Sequence, residues 1–169
     1  IRINGKIQKQ AAYRSGLLGF LPQEGYLPNN LSLAECVELL LGKEYRKDFF
    51  ADKHLFRIRK SKVSEMSGGE KRYAEIKLIL WGKAPFILLD EPFAGVDPIA
   101  VIDIQKIISY LKSRGIGVLI TDHNVRETLR ICDHAYIISN GSVLAAGLPQ
   151  QLVDNEEVRR VYLGEHFHL

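Results

Sequence analysis

Little in this chain ties it to a membrane, an oxidising compartment or a nucleic acid. No apolar run approaches the roughly eighteen residues of a membrane-spanning helix. Ile1-Arg2-Ile3 does not open a secretory signal. Cys36 and Cys132 stand alone, with no Cys-x-x-Cys pair, and read as reduced core residues rather than as a disulfide or a metal site. A net charge of +3 is too small to argue for a polyanionic partner, and there is no internal repeat or low-complexity segment. What remains is ordinary globular composition, 46% hydrophobic and 25% charged, in 169 residues, enough for one domain with a sizeable core. The expectation is a soluble, cytosolic protein that binds no nucleic acid.

The most informative stretch is residues 86–97, Phe-Ile-Leu-Leu-Asp-Glu-Pro-Phe-Ala-Gly-Val-Asp. Four consecutive apolar residues predict a strand buried on both faces, the kind found in parallel sheets between helices. Asp90 and Glu91 follow where that strand runs out, and in open α/β sheets ligands bind at the carboxyl ends of strands. The same arrangement recurs twice. Residues 17–21 are extended and lead to Pro22-Gln23, and Val118-Leu119-Ile120 leads to Thr121-Asp122-His123. Three polar clusters at three strand ends make coincidence the weaker explanation.

Helices are marked by their caps. Ser32 with Glu35 opens a helix carrying Leu33, Val37, Leu40 and Leu41. Met66-Ser67-Gly68-Gly69-Glu70 opens another that runs to about Trp81, with Tyr73, Ile76, Ile79 and Leu80 on one side. Ser67 and Glu70 form a capping box. The glycines let N–H groups at the positive end of the helix approach an anion closely. Asp97 caps a helix beginning at Pro98 and ending before Gly115. Residues 43–62 carry eight Lys or Arg against three acids, with interleaved aromatics, and read as a solvated helical face or docking surface. Asn4-Gly5 and Asn140-Gly141 mark hairpin turns. A helix is expected near 125–131, and Asn155 caps a last one over 156–163. His166 and His168, on a polar tail with no third ligand, make a weak metal site.

In this order, Leu21-Pro22-Gln23, residues 66–70, residues 86–91, Gly95-Val96-Asp97 and Thr121-Asp122-His123 resemble the Q-loop, signature, Walker B strand, D-loop and switch histidine of ABC transporter ATPase subunits. The resemblance implies an α/β, P-loop NTPase-type fold over residues 1–169. Its sheet is mostly parallel and flanked by helices, with a helical subdomain inserted at about 30–82 and a C-terminal hairpin and helix. It implies ATP and Mg²⁺ as ligands. Asp90 would hold the metal with Gln23 beside it, Glu91 would act as general base, and His123 would contact the γ-phosphate. Ser67, Gly68, Gly69 and Glu70 would form the surface that binds a nucleotide held by the opposite subunit of a head-to-tail homodimer, with Asp97 at the shared interface. Transmembrane permease subunits would be the further partners, at the cytoplasmic face of the inner membrane. Phe93-Ala94-Gly95-Val96-Asp97-Pro98, residues 120–128 and Val161-Tyr162-Leu163-Gly164-Glu165 look like the lipopolysaccharide-export branch, with the branched-chain amino acid branch as nearest competitor.

The departures carry weight. No Gly-x-x-x-x-Gly-Lys-Ser/Thr loop occurs in the chain. The likeness starts just after the place for that loop, so the expectation is a chain missing an N-terminal portion, which alone would hold ATP poorly or not at all. The alternative is a non-hydrolysing regulatory subunit. Met66 stands for the family's leucine and Glu70 for its common glutamine, and the segment between Gln23 and Ser67 is short.

Overall fold

The computed structural model describes residues 2–3, 6–7, 16–164 and 167, in two compact units, residues 1–121 and 122–169. The first unit opens on β1 (Arg2–Ile3) and β2 (Lys6–Ile7), which pair antiparallel with Ile3 opposite Lys6. Asn4 and Gly5, expected to form the turn between them, lie outside the described residues. β3 (Leu18–Leu21) then leads into four helices, α1 (Leu33–Leu41), α2 (Arg46–Phe49), α3 (Lys53–Ile58) and α4 (Gly68–Trp81). β4 (Phe86–Asp90), α5 (Pro98–Ser113) and β5 (Gly117–Thr121) complete it. The strands form a parallel sheet in the order β3-β4-β5, with Leu21 opposite Leu89 and Leu89 opposite Ile120.

Local chemistry explains where the helices start. Ser32 accepts from the Glu35 N–H while the Glu35 carboxylate accepts from the Ser32 N–H, so two orphan donors of α1 are satisfied together. Asp97 does the same work for α5 through the N–H groups of Ile99 and Ala100, with Pro98 in the first turn.

The basic stretch keeps its charged residues exposed or half-exposed, as a solvated face does, and turns four of its apolar residues inward. Phe49, Phe50, Leu55 and Ile58 are buried with Leu33, Cys36, Val37 and Leu78. Phe56 faces outward beneath the Arg59 guanidinium, 3.7 Å from the ring centre. α4 serves two sides. Ala74 and Leu78 join that helical cluster, and Ile79 lies over Gly19 of β3, where a Cβ would come within 2.5 Å of its Cγ2.

One expectation fails. Ile87, Leu89 and Leu21 are buried on one face of the sheet, but Phe20 is 42% exposed and Leu119 62% on the other, so these strands are not buried on both faces. An apolar run records a preference for two covered faces and does not itself supply the second cover.

The second unit holds α6 (Val125–Leu129), an antiparallel hairpin of β6 (Ala135–Ser139) and β7 (Ser142–Gly147), α7 (Pro149–Val153) and α8 (Glu156–Val158). Its core is Leu129, Ile137, Leu152, Val153 and Val158. Asn140 and Gly141 turn the hairpin with φ of 49° and 76°, as a two-residue turn of that sequence requires. α6 is shorter than the expected 125–131. The last helix widens after Val158 into a π-turn over Arg159–Leu163, closed by Gly164 N–H donating to the Arg159 carbonyl at 2.8 Å. Among the described residues no helix is long and apolar enough to cross a membrane, and both cysteines are free thiols.

Asp52 fastens α3 to α4. Its Oδ1 accepts from the N–H groups of His54 and Leu55, and its Oδ2 accepts from the Tyr73 hydroxyl at 2.8 Å and Lys77 Nζ at 3.0 Å. Burial pushes its carboxyl pKa up, but the bonds from Lys77 and Tyr73 outweigh this and hold it below the ordinary value. Burial, and then the Asp52 carboxylate, raise the Tyr73 hydroxyl. A depressed folded-state pKa means that the unfolded chain binds more protons in acid, so the stabilisation is present above the unfolded value and is lost as the pH falls through the folded one. The stability of the protein is therefore expected to drop below about pH 4, and Asp52→Asn to flatten that slope. Urea unfolding curves taken across the acid range test this, and an unchanged slope in the variant would count against Asp52.

Candidate functional site

Parallel pairing brings the ends of β3 and β4 to one edge of the sheet. Gln23 lies two residues beyond Leu21, and its Nε2 donates to Glu91 Oε2 at 2.9 Å. On the other side Asp90 stands opposite Thr121, whose Oγ1 donates to Asp90 Oδ1. The Glu91 N–H donates to the Thr121 carbonyl at 2.7 Å. Glu91 itself is held at φ 46°, a left-handed conformation that costs a residue with a side chain on the order of 1–3 kcal/mol and persists only where surrounding contacts over-determine it. Phe93 is buried two residues on, and Ala94 N–H closes the turn onto the Glu91 carbonyl.

The groups that hold this edge are Arg72 and Glu75, which sequence reasoning did not single out. Both are buried, at 5% and 1% exposure. Arg72 Nη1 donates to the Pro22 carbonyl at 2.7 Å. Its Nη2 donates to the carbonyls of Gln23, Asp90 and Glu91 at 2.8, 3.1 and 3.0 Å. Glu75 Oε2 accepts from Arg72 Nη1 at 3.4 Å, and its Oε1 accepts from the N–H groups of Tyr26 and Leu27. The Tyr26 hydroxyl donates to the Glu75 carbonyl, and its pKa is raised by burial and then by the nearby carboxylate. Gly25, at φ 77°, passes so close to Glu75 that a Cβ there would strike the carboxylate. The one available signal was position: Arg72 sits four residues before Ile76 and seven before Ile79, in phase with the apolar side of α4.

Residues 66–70 form the N-terminus of α4. Ser67 Oγ accepts from the Glu70 N–H at 3.2 Å, and Glu70 Oε2 accepts from the Ser67 N–H at 3.0 Å, the expected capping box. The two glycines have an internal reason to be there. A Cβ on Gly68 would stand 2.6 Å from the Gly95 carbonyl oxygen, and one on Gly69 would meet Ala100 Cβ and come within 2.9 Å of Asp97 Oδ2. The starts of α4 and α5 thus touch, and Ser67, Gly69, Glu70 and Asp97 line one groove with His54 and Arg57. First-turn N–H groups have no acceptor inside their own helix, which suits them to an anion.

His123 belongs to the second unit. Its imidazole is 71% exposed, with Nδ1 4.0 Å from Asp122 Oδ1, and that buried carboxylate accepts from the Asn124 N–H at 2.7 Å. His166 and His168 lie outside the described residues. Among the described residues no three or more His, Cys, Asp or Glu side chains gather to hold a metal ion. Asp90 can supply one carboxylate, and a carboxylate has about four lone-pair positions, so the Thr121 hydroxyl leaves it capacity for a cation. That suits Mg²⁺, which is held by few protein carboxylates together with substrate phosphate.

Residues 1–94, which carry β3, the glycine-opened α4 and the acids that end β4, match the ABC transporter family model. The chain belongs to the ABC transporter family, as an ATP-binding, ATP-hydrolysing subunit. A second model, of the branched-chain amino acid ATP-binding cassette transporter, matches residues 142–168. The chain is 48% identical to the lipopolysaccharide export system ATP-binding protein LptB of Acidithiobacillus ferridurans, covering 90% of this chain and 67% of that protein. The corresponding protein of Escherichia coli K12 is 47% identical with the same coverage. An uncharacterized ABC transporter ATP-binding protein of Rhizobium meliloti is 44% identical over the whole chain and 67% of its own length. Among solved structures, the ADP conformation of MJ1267, an ATP-binding cassette of an ABC transporter, superposes with a TM-score of 0.68 at 27% identity. It covers 90% of this chain and 70% of that one.

Gly69→Ala is expected to destabilise the protein by about 1–3 kcal/mol, the range for forcing an extra methyl into a packed contact. Ala100→Gly, which empties the space opposite, should recover part of the loss. Thermal melting of the single and double variants decides it, and absence of any recovery would show that Ala100 is not what excludes the methyl.

Proposed function

We propose that this chain drives lipopolysaccharide export, closing a head-to-tail dimer on ATP and reopening it on hydrolysis at the cytoplasmic face of the inner membrane. The observation that carries the export reading is 47–48% identity over 90% of the chain to LptB proteins. Transmembrane permease subunits would receive the motion through the helical region.

The site suggests a role for each residue. Glu91, accepting from Gln23 Nε2 and fixed at the strand end, orients a water and takes its proton as general base. Gln23 senses that water and links it to the helical region. Asp90, with Gln23 beside it, would hold Mg²⁺, which when bound neutralises charge on the phosphate oxygens. His123 contacts the γ-phosphate. Ser67, Gly68, Gly69 and Glu70 present the start of α4 to a nucleotide carried by the opposite subunit, and Asp97 lies at the interface they share.

The match of residues 142–168 to the branched-chain amino acid model favours a second reading, uptake of amino acids. Co-purification of the native membrane complex separates the two. Lipopolysaccharide-transport permeases and bound lipopolysaccharide support export, and amino acid permeases support uptake.

Glu91→Gln in the native complex is expected to lower ATP turnover by at least about a hundredfold, the lower end of what a general base contributes. ATP binding would survive, so a nucleotide-bound dimer should accumulate. Phosphate release and light scattering measure the two effects, and a monomer under saturating MgATP would refute the dimer.

A further inference from the structure

We propose that Arg72 is a positioning residue for ATP hydrolysis, fixing Gln23 and Glu91 relative to each other and to the helix whose start meets the opposite subunit's nucleotide. The inference rests on the roles given above to those two side chains.

Arg72 is an unusual residue to bury. Arginine is almost never fully enclosed unless paired, and a buried Arg–Glu pair is often no more stabilising than well-packed apolar residues of the same volume. Stability alone is therefore a poor reason for it. Its contacts supply a better one. Four backbone carbonyls, those of Pro22, Gln23, Asp90 and Glu91, converge on one guanidinium from the ends of two different strands. Nη2 alone serves three of them, a shared-donor arrangement that ties the main chain of Gln23 to that of Glu91. Lysine could not replace it, because a point charge with one nitrogen lacks the planar fork that reaches both strand ends.

The strained backbone of Glu91 gives the contact its consequence. A left-handed glutamate needs its peptide groups held, and Arg72 grips the carbonyl while the Thr121 carbonyl takes the N–H. Glu75 completes the hold by taking N–H groups of Tyr26 and Leu27, so the loop after β3 is gripped through carbonyls by one residue and through N–H groups by the other. Both come from α4, whose first turn is Ser67 to Glu70. Any displacement of that turn therefore reaches the Gln23–Glu91 pair through one rigid helix. Catalytic geometry is sensitive to such displacement, since a shift of about 1 Å can cost on the order of a hundredfold in rate.

Two variants in the native complex test the proposal, with melting temperature, kcat and KM for ATP measured on each. Arg72→Lys is expected to lower kcat at least about tenfold while KM stays within about twofold. The double variant Arg72→Met with Glu75→Gln removes both buried charges and keeps an acceptor for the Tyr26 and Leu27 N–H groups; it is expected to melt below the native protein but to stay folded at the assay temperature, with kcat low because no donor reaches the carbonyls. If Arg72 were only half of a structural ion pair, the double variant would regain native kcat, and that result overturns the proposal. Glu91→Gln, assayed alongside, separates this inference from the reading beneath it. Turnover lost in Glu91→Gln but kept in both Arg72 variants overturns the positioning role alone. Turnover kept in Glu91→Gln overturns the base assignment, and with it the target of the positioning.

Discussion

The site at the edge of the parallel sheet depends on where one guanidinium puts its hydrogens. Strands that end at a sheet edge leave carbonyls pointing out of the ladder, and those carbonyls need donors. Here one side chain on α4, buried to 5% exposure, donates to carbonyls at or just beyond the ends of both β3 and β4, two of which also take an N–H from their own turns, at Gly25 and Ala94. Without it, the loop carrying Gln23 and the turn carrying Glu91 would each be closed only by its own N–H groups. With it, they share one donor.

α4 can do this because it is packed on two sides. Ala74 and Leu78 anchor it in the helical cluster, while Ile79 lies on Gly19 of β3. A helix used in this way loses the simple division into an apolar and a polar side, and two of its charged residues go inside. The close approach at Gly19 matters to this. A side chain there would lift α4 from the sheet and carry Arg72 away from the carbonyls it serves.

Features made by residues close together in the chain were legible beforehand. The capping boxes at Ser32 and Ser67, the Asp97-Pro98 helix start and the Asn140-Gly141 turn each need only three or four consecutive residues, and each stands as expected. The strand ends were legible because an apolar run that stops at a carboxylate is a local event, and their pairing at one edge followed from parallel order. Arg72 was not legible. The carbonyls it serves lie 18 to 50 residues away, and a charged residue on a helix reads as solvent-facing until its surroundings are known. The exposed side of the sheet was missed for a related reason, since Leu119 looks the same whether or not anything covers it. The glycines of residues 66–70 were read through a ligand. Their own chain, at Gly95, Asp97 and Ala100, already leaves no room for a side chain.

The contact between the starts of α4 and α5 also sets up a field. Each helix end carries roughly half a positive charge from its aligned peptide units, so two that touch amount to about one. Ser67, Glu70 and Asp97 use side-chain oxygens to cap those ends. The peptide dipoles neither titrate nor swing away as a lysine can, but Glu70 and Asp97 set two carboxylate charges against them. An anion at this surface would therefore be held by first-turn N–H groups at contact distance, where the dipoles act most strongly, rather than drawn in from afar.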